Sequence, residues 1–204
     1  MSIKEMAKNA GILLVITVIA GAILGLVYQT TKDTIATRKE DDKKAAYKEV
    51  FADAADFTVA DATMFDAERG KLDEAGYAAE TIDELVCAVD DGGNTLGYVF
   101  VVTTSEGYGG DIQFAVGVRN DGTINGISIL AISETAGLGM NAEKVLKPQF
   151  ANKQVSSFTY TKTGSTNDSE IDAISGATIT TNAFVNGVNC ALAYYNDCLG
   201  GTVQ

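Results

Sequence analysis

The ten residues from Asp172 to Thr181 (DAISGATITT) combine small side chains with hydroxyls immediately before a predicted helix. The first turn of a helix has backbone N–H groups without intrahelical partners, and the helix dipole makes this end partly positive. Such a segment is suited to hold a phosphate group. A capped helix that follows a glycine turn has the same composition, and the Walker spacing G-x-x-x-x-G-K-S/T is absent. Phosphate binding and a simple capped helix are therefore both open interpretations.

Two further glycine-rich segments are of interest. Ser133–Gly139 (SETAGLG) follows a predicted strand, so its glycines are expected at a sheet edge, where backbone can approach a flat ligand closely. An ordinary strand-to-helix loop is the alternative. Gly107–Gly110 (GYGG) is a third segment of this kind, for which a simple turn is the expected explanation.

Taken together, the three segments resemble a known family. D-A-I-S-G-A-T at 172–178 is similar to the flavinylation motif D-x-x-S/T-G-A-T of the FMN-binding domain family, in which the phosphate of FMN is joined to the hydroxyl of the final Thr. E-T-A-G-L-G at 134–139 is similar to the family's E-T-P-G-L-G, with Ala136 in place of Pro, and G-Y-G-G at 107–110 also fits. The motifs occur in the expected order, and the resemblance covers residues 85 to about 190.

The resemblance implies a role for each matching residue. It implies that FMN is joined by a phosphoester to Thr178. Motif residues that shape the site, or its recognition by a flavin transferase, are Asp172, Ser175, Gly176 and Ala177. Residues expected to contact FMN are Glu134, Thr135, Gly137, Leu138 and Gly139. No catalytic residue and no metal ligand is expected in the chain itself, because the cofactor carries the electrons and the protein positions it.

Composition excludes several other kinds of chemistry. The 204 residues contain no His, so Ser-His-Asp and Cys-His triads, zinc-His sites and His-ligated haem cannot be built from this chain alone. The three cysteines, Cys87, Cys190 and Cys198, have no C-x-x-C spacing, and we expect buried or half-buried thiols. Residues 1–48 carry 8 basic and 5 acidic residues, whereas residues 49–204 carry 7 basic and 22 acidic residues, a net charge of −15. Nucleic acid binding is not expected of so acidic a chain.

A membrane segment is predicted near the N-terminus. The 23 residues between Lys8 and Lys32 carry no charge, and the apolar run at 10–28 is long enough to span a bilayer. A cleaved signal peptide is the alternative, but the run continues beyond the small residues at 20–22, so an uncleaved anchor is expected. Basic residues flank the segment on both sides, so counting them leaves the orientation open. The resemblance implies a cytoplasmic N-terminus in the cytoplasmic (inner) membrane and an extracytoplasmic main domain.

The elements that position the motifs follow from the residue pattern. We predict a short cytoplasmic tail at 1–9, a single transmembrane helix at 10–28, a charged linker helix at 29–51 and an FMN-binding domain at 52–204. Residues 52–82 are interpreted as loops and short helices. Runs rich in Val, Ile, Phe and Tyr predict strands at 85–89, 96–103, 112–118 and 124–132. Asp121-Gly122 between the last two runs predicts a hairpin.

The C-terminal third is predicted to add helices to this antiparallel sheet. Residues 142–153 have helical composition interrupted by Pro148, and 156–161 is a short strand candidate. Apolar residues at helical spacing predict a helix over 183–199, with Thr180, Thr181 or Asn182 as its cap and Gly200-Gly201 as its stop. The predicted fold class is α+β, with one transmembrane helix followed by an antiparallel sheet flanked by helices.

Within the FMN-binding domain family, a short chain with one anchor resembles the G subunits of Rnf complexes, which are membrane ferredoxin:NAD⁺ oxidoreductases that couple electron flow to Na⁺ or H⁺ transport. The resemblance implies a redox subunit of a translocase, with no complete activity alone, whose partners are the other Rnf subunits, a flavin transferase and the lipid bilayer. Three alternatives stay open. They are a C-type subunit of a Na⁺-pumping NADH:quinone reductase, a free-standing anchored flavoprotein, and a non-redox anchored assembly or ligand-binding protein.

Overall fold

A 48-residue helix, α1 (Ile3–Val50), opens the computed structural model, which describes residues 3–60 and 71–200. Its apolar part is long enough to cross a membrane by length and composition. The large apolar side chains there are exposed, for example Leu13 at 66% and Leu24 at 71%. This is the pattern expected of a helix that contacts lipid or other helices. A helix in the core of a water-soluble protein would have these side chains buried. The helix also runs through 29–50 without a break, where a separate linker helix was predicted.

The chain divides into two compact units, Met1–Lys43 and Lys44–Gln204. The second unit therefore begins eight residues before the boundary expected at residue 52. The physical reason is burial, because the last turns of α1 and the residue after it place Ala46, Tyr47, Val50 and Phe51 in a hydrophobic core. The charge of the segment 29–51 did not indicate that its last turns enter a core.

The second unit is built on a five-stranded antiparallel meander. Its strands, in spatial as well as chain order, are β1 (Asp56–Val59), β2 (Glu80–Val89), β3 (Thr95–Thr104), β4 (Ile112–Arg119) and β5 (Ile124–Ala131). The four predicted strands are confirmed. The hairpin at Asp121-Gly122 is also present, since the Gly122 N–H donates to the Arg119 carbonyl at 2.9 Å. Within 52–82, where loops and short helices were predicted, residues 71–74 are helical as expected, whereas β1 and the first residues of β2 are strands. Residues 61–70 lie outside the described part.

Successive residues of the sheet point to opposite faces, and both faces are covered. On β3, Phe100 and Val102 belong to the core beneath the C-terminal helix, whereas Val99 and Val101 pack with Val50 and Phe51 at the end of α1. This alternation gives a helix on each side of one sheet. The predicted α+β fold with an antiparallel sheet flanked by helices is therefore confirmed.

The remaining elements contribute buried residues to the same core as the C-terminal helix. A 3-10 turn (Gly139–Asn141), the short helix α2 (Ala142–Val145) and a second 3-10 turn (Lys147–Phe150) follow β5. Strands β6 (Thr159–Thr161) and β7 (Glu170–Asp172) then pair in parallel as a separate ribbon, and β7 was not predicted. Helix α3 (Thr178–Cys198) ends the described chain. It begins five residues before the predicted start at 183, so Thr180, Thr181 and Asn182 lie inside the helix and the prediction that one of them caps it is wrong.

Candidate functional site

A cleft of about 530 Å³ lies where three loops meet the first turn of α3. This volume falls within the range of ~300–1,000 Å³ that is usual for small-molecule sites. The cleft is lined by Tyr108, Glu134, Thr135, Leu138, Gly139, Gly176, Ala177, Thr178, Ile179 and Thr180. The three glycine-rich segments, which are distant in sequence, thus form one site.

One wall of the cleft is the turn that leads from β7 into α3. Thr181, buried inside the first turn of α3, accepts a hydrogen bond from the Ile174 N–H at 3.1 Å and donates one to the Ala177 carbonyl at 3.0 Å. Gly176 has a φ of 77°, which a residue with a side chain rarely adopts. These contacts fold 174–177 into a tight turn, so that Thr178 is the first residue of the helix.

The start of α3 has the features of an anion site. Its N-cap residue, Ala177, makes no side-chain hydrogen bond to the first turn. The first N–H groups of a helix have no intrahelical partners, and here the residues that carry them, Thr178, Ile179 and Thr180, line the cleft. Backbone donors and the positive end of the helix dipole therefore meet at the floor of the cleft, which favours a bound phosphate.

Only one of the hydroxyls in DAISGATITT is both accessible and in the cleft. Thr178 is half-buried and lines the cleft, whereas Thr180 is 1% exposed and Thr181 is fully buried. Ser175 is exposed but does not line the cleft. A reagent that approaches through the cleft would therefore meet Thr178 rather than the buried Thr180 or Thr181.

The opposite wall is the segment from Glu134 to Gly139. The Glu134 Oε1 atom accepts a hydrogen bond from the Tyr108 N–H at 2.8 Å, which ties this wall to the GYGG turn. A Cβ atom at Gly139 would lie 2.6 Å from the Thr180 hydroxyl oxygen and 2.7 Å from the Glu134 Cβ. Glycine is therefore required at 139, because it lets this wall touch the first turn of α3.

The rim and charge of the cleft suit a flat aromatic ligand. Tyr108, Ile179 and Leu138 are 71%, 53% and 40% exposed, so apolar surface from all three loops is open to solvent. Among the residues of the described chain that line the cleft, Glu134 is the one with a charge, and none is Lys or Arg. A bound phosphate would be held by backbone N–H groups rather than by a basic side chain.

The structure brings together seven of the ten residues predicted for the site, namely Glu134, Thr135, Leu138, Gly139, Gly176, Ala177 and Thr178. The other three do not line the cleft. Asp172 accepts hydrogen bonds from the Ser165 N–H at 2.5 Å and the Ser165 hydroxyl at 3.4 Å. Ser175 faces solvent, and Gly137 forms the turn (φ 79°) whose carbonyl accepts from Asn141.

Three lining residues were not among the predicted contacts. Tyr108 was visible in the GYGG segment, but it was interpreted as a simple turn because a lone aromatic between glycines carries no periodic signal. Ile179 and Thr180 enter the site only because α3 begins at Thr178, earlier than the apolar periodicity indicated.

Acidic side chains also lie close to α3. Glu80, 5% exposed, accepts a hydrogen bond from the Thr104 hydroxyl at 3.0 Å. The Glu106 Oε2 atom accepts from the side-chain amides of Asn186 at 2.6 Å and Asn182 at 3.2 Å, both on α3. Burial raises the pKa of the Glu80 carboxyl, the Thr104 hydrogen bond opposes this rise, and the charge of Glu106 adds to it.

The cysteines have the environment of structural thiols. All three are reduced thiols, Cys190 is fully buried, and Cys87 and Cys198 are half-buried, as predicted. Burial, together with the charges of Glu80 and Asp73, raises the pKa of the Cys190 thiol to about 12. A thiol that stays protonated at neutral pH is a poor nucleophile and a poor metal ligand.

Comparison of the sequence with known protein families gives a match over the residues that form the cleft. Residues 107–193, which contain all three loops of the cleft, match the FMN-binding domain family. The chain thus contains an FMN-binding domain, and its described residues include one candidate membrane helix. Residues 1–50 match the family described as the RnfG N-terminal region.

Relatives that align along nearly the whole chain extend this result. The chain is 34% identical over 201 residues to the G subunit of the proton-translocating ferredoxin:NAD⁺ oxidoreductase complex of Clostridium ljungdahlii, covering 98% of this chain and 95% of the relative. It is 32% identical over 196 residues to the G subunit of the Na⁺-translocating ferredoxin:NAD⁺ oxidoreductase complex of Acetobacterium woodii, covering 95% and 93%. It is also 32% identical to the G subunit of the ion-translocating oxidoreductase complex of Methanosarcina acetivorans, covering 94% and 95%. The chain belongs to this family of G subunits of ion-translocating oxidoreductase complexes.

A solved structure was also matched. It is NqrC of Shewanella oneidensis, with a TM-score of 0.42 and 22% sequence identity, and the match covers 55% of this chain and 54% of that one.

Proposed function

We propose that the protein is an electron-transfer subunit of a membrane ferredoxin:NAD⁺ oxidoreductase of the Rnf type, and that it carries FMN as a phosphoester on Thr178. Family membership and the FMN-binding domain support the electron-transfer role. When bound, FMN supplies the one- and two-electron chemistry. The protein supplies the attachment point, the walls and the electrostatic environment.

The position of Thr178 is the observation that carries the covalent assignment. It is the first residue of α3, its helix start has no side-chain cap, and it lines the cleft half-buried, while Thr180 and Thr181 are buried. A phosphate esterified there lies beside the free N–H groups of the same helical turn. Its negative charge is thereby balanced without a basic side chain.

The attachment is a phosphoryl transfer that a flavin transferase performs. A bond forms between Thr178 Oγ1 and the phosphorus of an FMN donor activated as a phosphoanhydride. The bond from that phosphorus to the bridging oxygen breaks, and a phosphate leaves with the electron pair and takes up the Thr178 hydroxyl proton. The hydroxyl proton of Thr178 is lost, so the chain gains the mass of FMN less one water. Gly176 and Ala177 shape the turn that presents Thr178, and the segment 134–139 faces it across the cleft.

We further propose the membrane arrangement that this role requires. Residues 1–9 are cytoplasmic, 10–28 span the cytoplasmic membrane once, and the unit from Lys44 onward is extracytoplasmic. Partners are the other subunits of the complex, and the coupled ion is Na⁺ or H⁺. A stable covalent bond prevents loss of the cofactor to the space outside the membrane.

The first test is mass spectrometry of the protein purified from its own host, together with ultraviolet fluorescence of the denatured band. Lys162 is the last trypsin site, so cleavage at Asp is the better choice, because it releases 172–196 as one peptide. That peptide is expected to be heavier by FMN less one water, with the added mass on Thr178. An unmodified peptide from a host with an active flavin transferase would remove the proposed redox role.

Substitution of Thr178 gives a second test. Thr178→Val keeps the branched shape and removes the hydroxyl, so covalent flavin should be lost while stability changes by less than about 1 kcal/mol. Thr159→Val is the matched control, because it makes the same exchange at an exposed threonine outside the DAISGAT motif and outside the cleft, and it should leave loading unchanged. Copurification of several multispanning subunits distinguishes a complex subunit from a free-standing anchored flavoprotein.

A further inference from the structure

The edge of strand β7 that faces away from β6 presents the backbone of Asp172. Successive residues of a strand direct their N–H and C=O groups to opposite edges. Because the Ala173 N–H donates to the Thr161 carbonyl of β6 at 2.8 Å, the N–H and C=O of Asp172 point to the other edge. β6 and β7 form a two-stranded sheet, so no further strand is there to receive them among the described residues.

The side chain of Gln149 takes the place of that strand. Its Oε1 accepts the Asp172 N–H at 2.7 Å, and its Nε2 donates to the Asp172 carbonyl at 3.1 Å. Nε2 also donates to the Val145 carbonyl at 2.6 Å, one turn earlier. Both ends of the carboxamide are thus used, and its orientation is set by three hydrogen bonds.

Gln149 belongs to the continuation of the opposite wall of the cleft. The segment Glu134–Gly139 runs directly into the 3-10 turn at 139–141, helix α2 and the 3-10 turn Lys147–Phe150 that carries Gln149. Leu146 and Phe150 on either side of Gln149 are fully buried, so this segment is anchored in the core. Asp172, in turn, is the first residue of the segment 172–178 (DAISGAT), which contains the turn that forms the other wall of the cleft. Gln149 therefore joins one wall to the start of the other.

The spacing between the walls leaves little tolerance. A Cβ atom at Gly176 would lie 3.1 Å from the Leu138 Cδ2, and one at Gly139 would lie 2.6 Å from the Thr180 hydroxyl oxygen. A shift of the DAISGAT turn would either close these contacts or open the cleft at Thr178.

We infer that Gln149 is a positioning residue that fixes the DAISGAT turn, through the backbone of Asp172, at the distance from the opposite wall that flavin attachment requires. Both the backbone and the side chain of Asp172 are then structural. The backbone is bound by Gln149, and the carboxylate holds the 162–166 loop through Ser165. This inference rests on the proposed attachment of FMN to Thr178, but the position of the turn can be measured without any flavin.

The test compares Gln149→Met with Gln154→Met in the full chain, expressed without a flavin transferase and purified in detergent. Methionine preserves length and removes both hydrogen-bonding ends. Gln154 is a matched control, because its amide makes one hydrogen bond, to the Asp121 carbonyl at 2.7 Å, and Gln154 does not line the cleft. Hydrogen exchange of peptides covering 165–177 and the thermal midpoint are measured first. Purified flavin transferase and its flavin donor are then added, and the initial rate of loading and the visible circular dichroism of the attached flavin are recorded.

We expect Gln149→Met to exchange faster over 165–177 and to load on the order of tenfold more slowly, in line with the cost of a small misplacement of reacting groups. Its attached flavin should show altered visible circular dichroism. Gln154→Met should match the wild type in all three. The inference would be overturned if Gln149→Met equalled the wild type in exchange, loading and dichroism. It would also be overturned if both variants lost loading equally and in proportion to a lowered thermal midpoint.

Two further outcomes are separable. If Gln149→Met does not fold, Gln149→Glu keeps an acceptor for the Asp172 N–H and loses the two donated bonds, and the same faster exchange is expected there. If the wild type itself gains no flavin at Thr178, the proposed function fails, whereas the exchange difference between the two variants still decides whether Gln149 holds the turn.

Discussion

The carboxyl group of Glu80 illustrates how single residues near the cleft respond to burial. It is 5% exposed, its described partner is the Thr104 hydroxyl, and the Glu106 carboxylate adds to the rise in its pKa. A carboxyl whose pKa is raised by folding binds its proton more tightly in the native state than in the unfolded chain. Stability is therefore lost as the pH rises from the ordinary pKa of 4.5 through the raised native value.

Replacement of Glu80 by Gln should remove this loss. Gln has no proton to release and keeps an acceptor for the Thr104 hydroxyl. We expect the variant to be more stable than the wild type at pH 8, because it does not lose the proton that native Glu80 holds more tightly than the unfolded chain does. The difference should fall toward zero near pH 4. Urea unfolding at both pH values, followed by the near-ultraviolet circular dichroism of the tyrosines, measures it.

Glu170 provides a control of opposite sign. Hydrogen bonds from the Thr166 N–H and hydroxyl lower the pKa of its carboxyl. Its stabilising contribution is present above pH 4.5 and is lost as the pH falls through the lowered native value. Glu170→Gln should therefore be less stable than the wild type at neutral pH. A loss of stability at pH 8 in Glu80→Gln would contradict the assignment of Glu80 as a buried, destabilising charge.

At the scale of elements, the end of α1 packs closely against the sheet because two glycines on neighbouring strands leave room for it. A Cβ atom at Gly117 of β4 would lie 2.9 Å from the Val50 Cβ, and one at Gly97 of β3 would lie 2.7 Å from the Phe51 Cζ. The Arg119 guanidinium lies over the Phe51 ring at 5.5 Å and forms an ion pair with Asp53 at 3.0 Å. The sheet thus has a groove in which Val50 and Phe51 lie.

Phe51→Ala should test whether this groove stabilises the second unit. Phe51 is fully buried, so its truncation should cost about 3–5 kcal/mol in the free energy of unfolding, through lost burial and the cavity left behind. Phe57→Ala is the comparison, because Phe57 is half-buried on the edge strand β1. Thermal and urea unfolding of the full chain in detergent measure both. A cost for Phe51→Ala no larger than that for Phe57→Ala would contradict this packing.

The strands that form this groove are predictable from the sequence, whereas the packing of Val50 and Phe51 in it is not. Alternating Val, Ile and Phe predict β2 to β5 because strands with one buried face carry that period. The position of the turn at 174–177 is predictable from the sequence. The helix start at Thr178 is not, since Thr181 is held inside the helix by hydrogen bonds to Ile174 and Ala177 that no local pattern shows. Burial of Val50 and Phe51 depends on two distant glycines, and the Gln149 contact depends on a partner 23 residues away. Such contacts follow from tertiary packing.

At the scale of the whole molecule, charge is distributed in a way that bears on the cleft. Residues 49–204 have a net charge of −15, and Glu134 lies in the cleft while no cationic side chain among the described residues lines it. The phosphate of FMN would be balanced by backbone donors at one point of the cleft. The rest of the bound cofactor would lie in the field of a strongly acidic unit, and salt would weaken that field.

The lack of a cation among the described residues that line the cleft has an electrochemical consequence. Reduction adds electrons to the flavin ring, and surrounding negative charge opposes this, so the midpoint potential of the attached flavin should lie below that of free FMN. Glu134→Gln keeps an acceptor for the Tyr108 N–H and removes the charge, so it should raise the potential by tens of millivolts, where about 59 mV corresponds to 1.4 kcal/mol for one electron. Redox titration at low and high ionic strength should show the wild-type potential rising with salt, and a potential insensitive to both changes would contradict this. An acidic setting of this kind would make the reduced flavin a stronger reductant than free reduced FMN, and electrons would then pass spontaneously to carriers whose midpoint potential is higher.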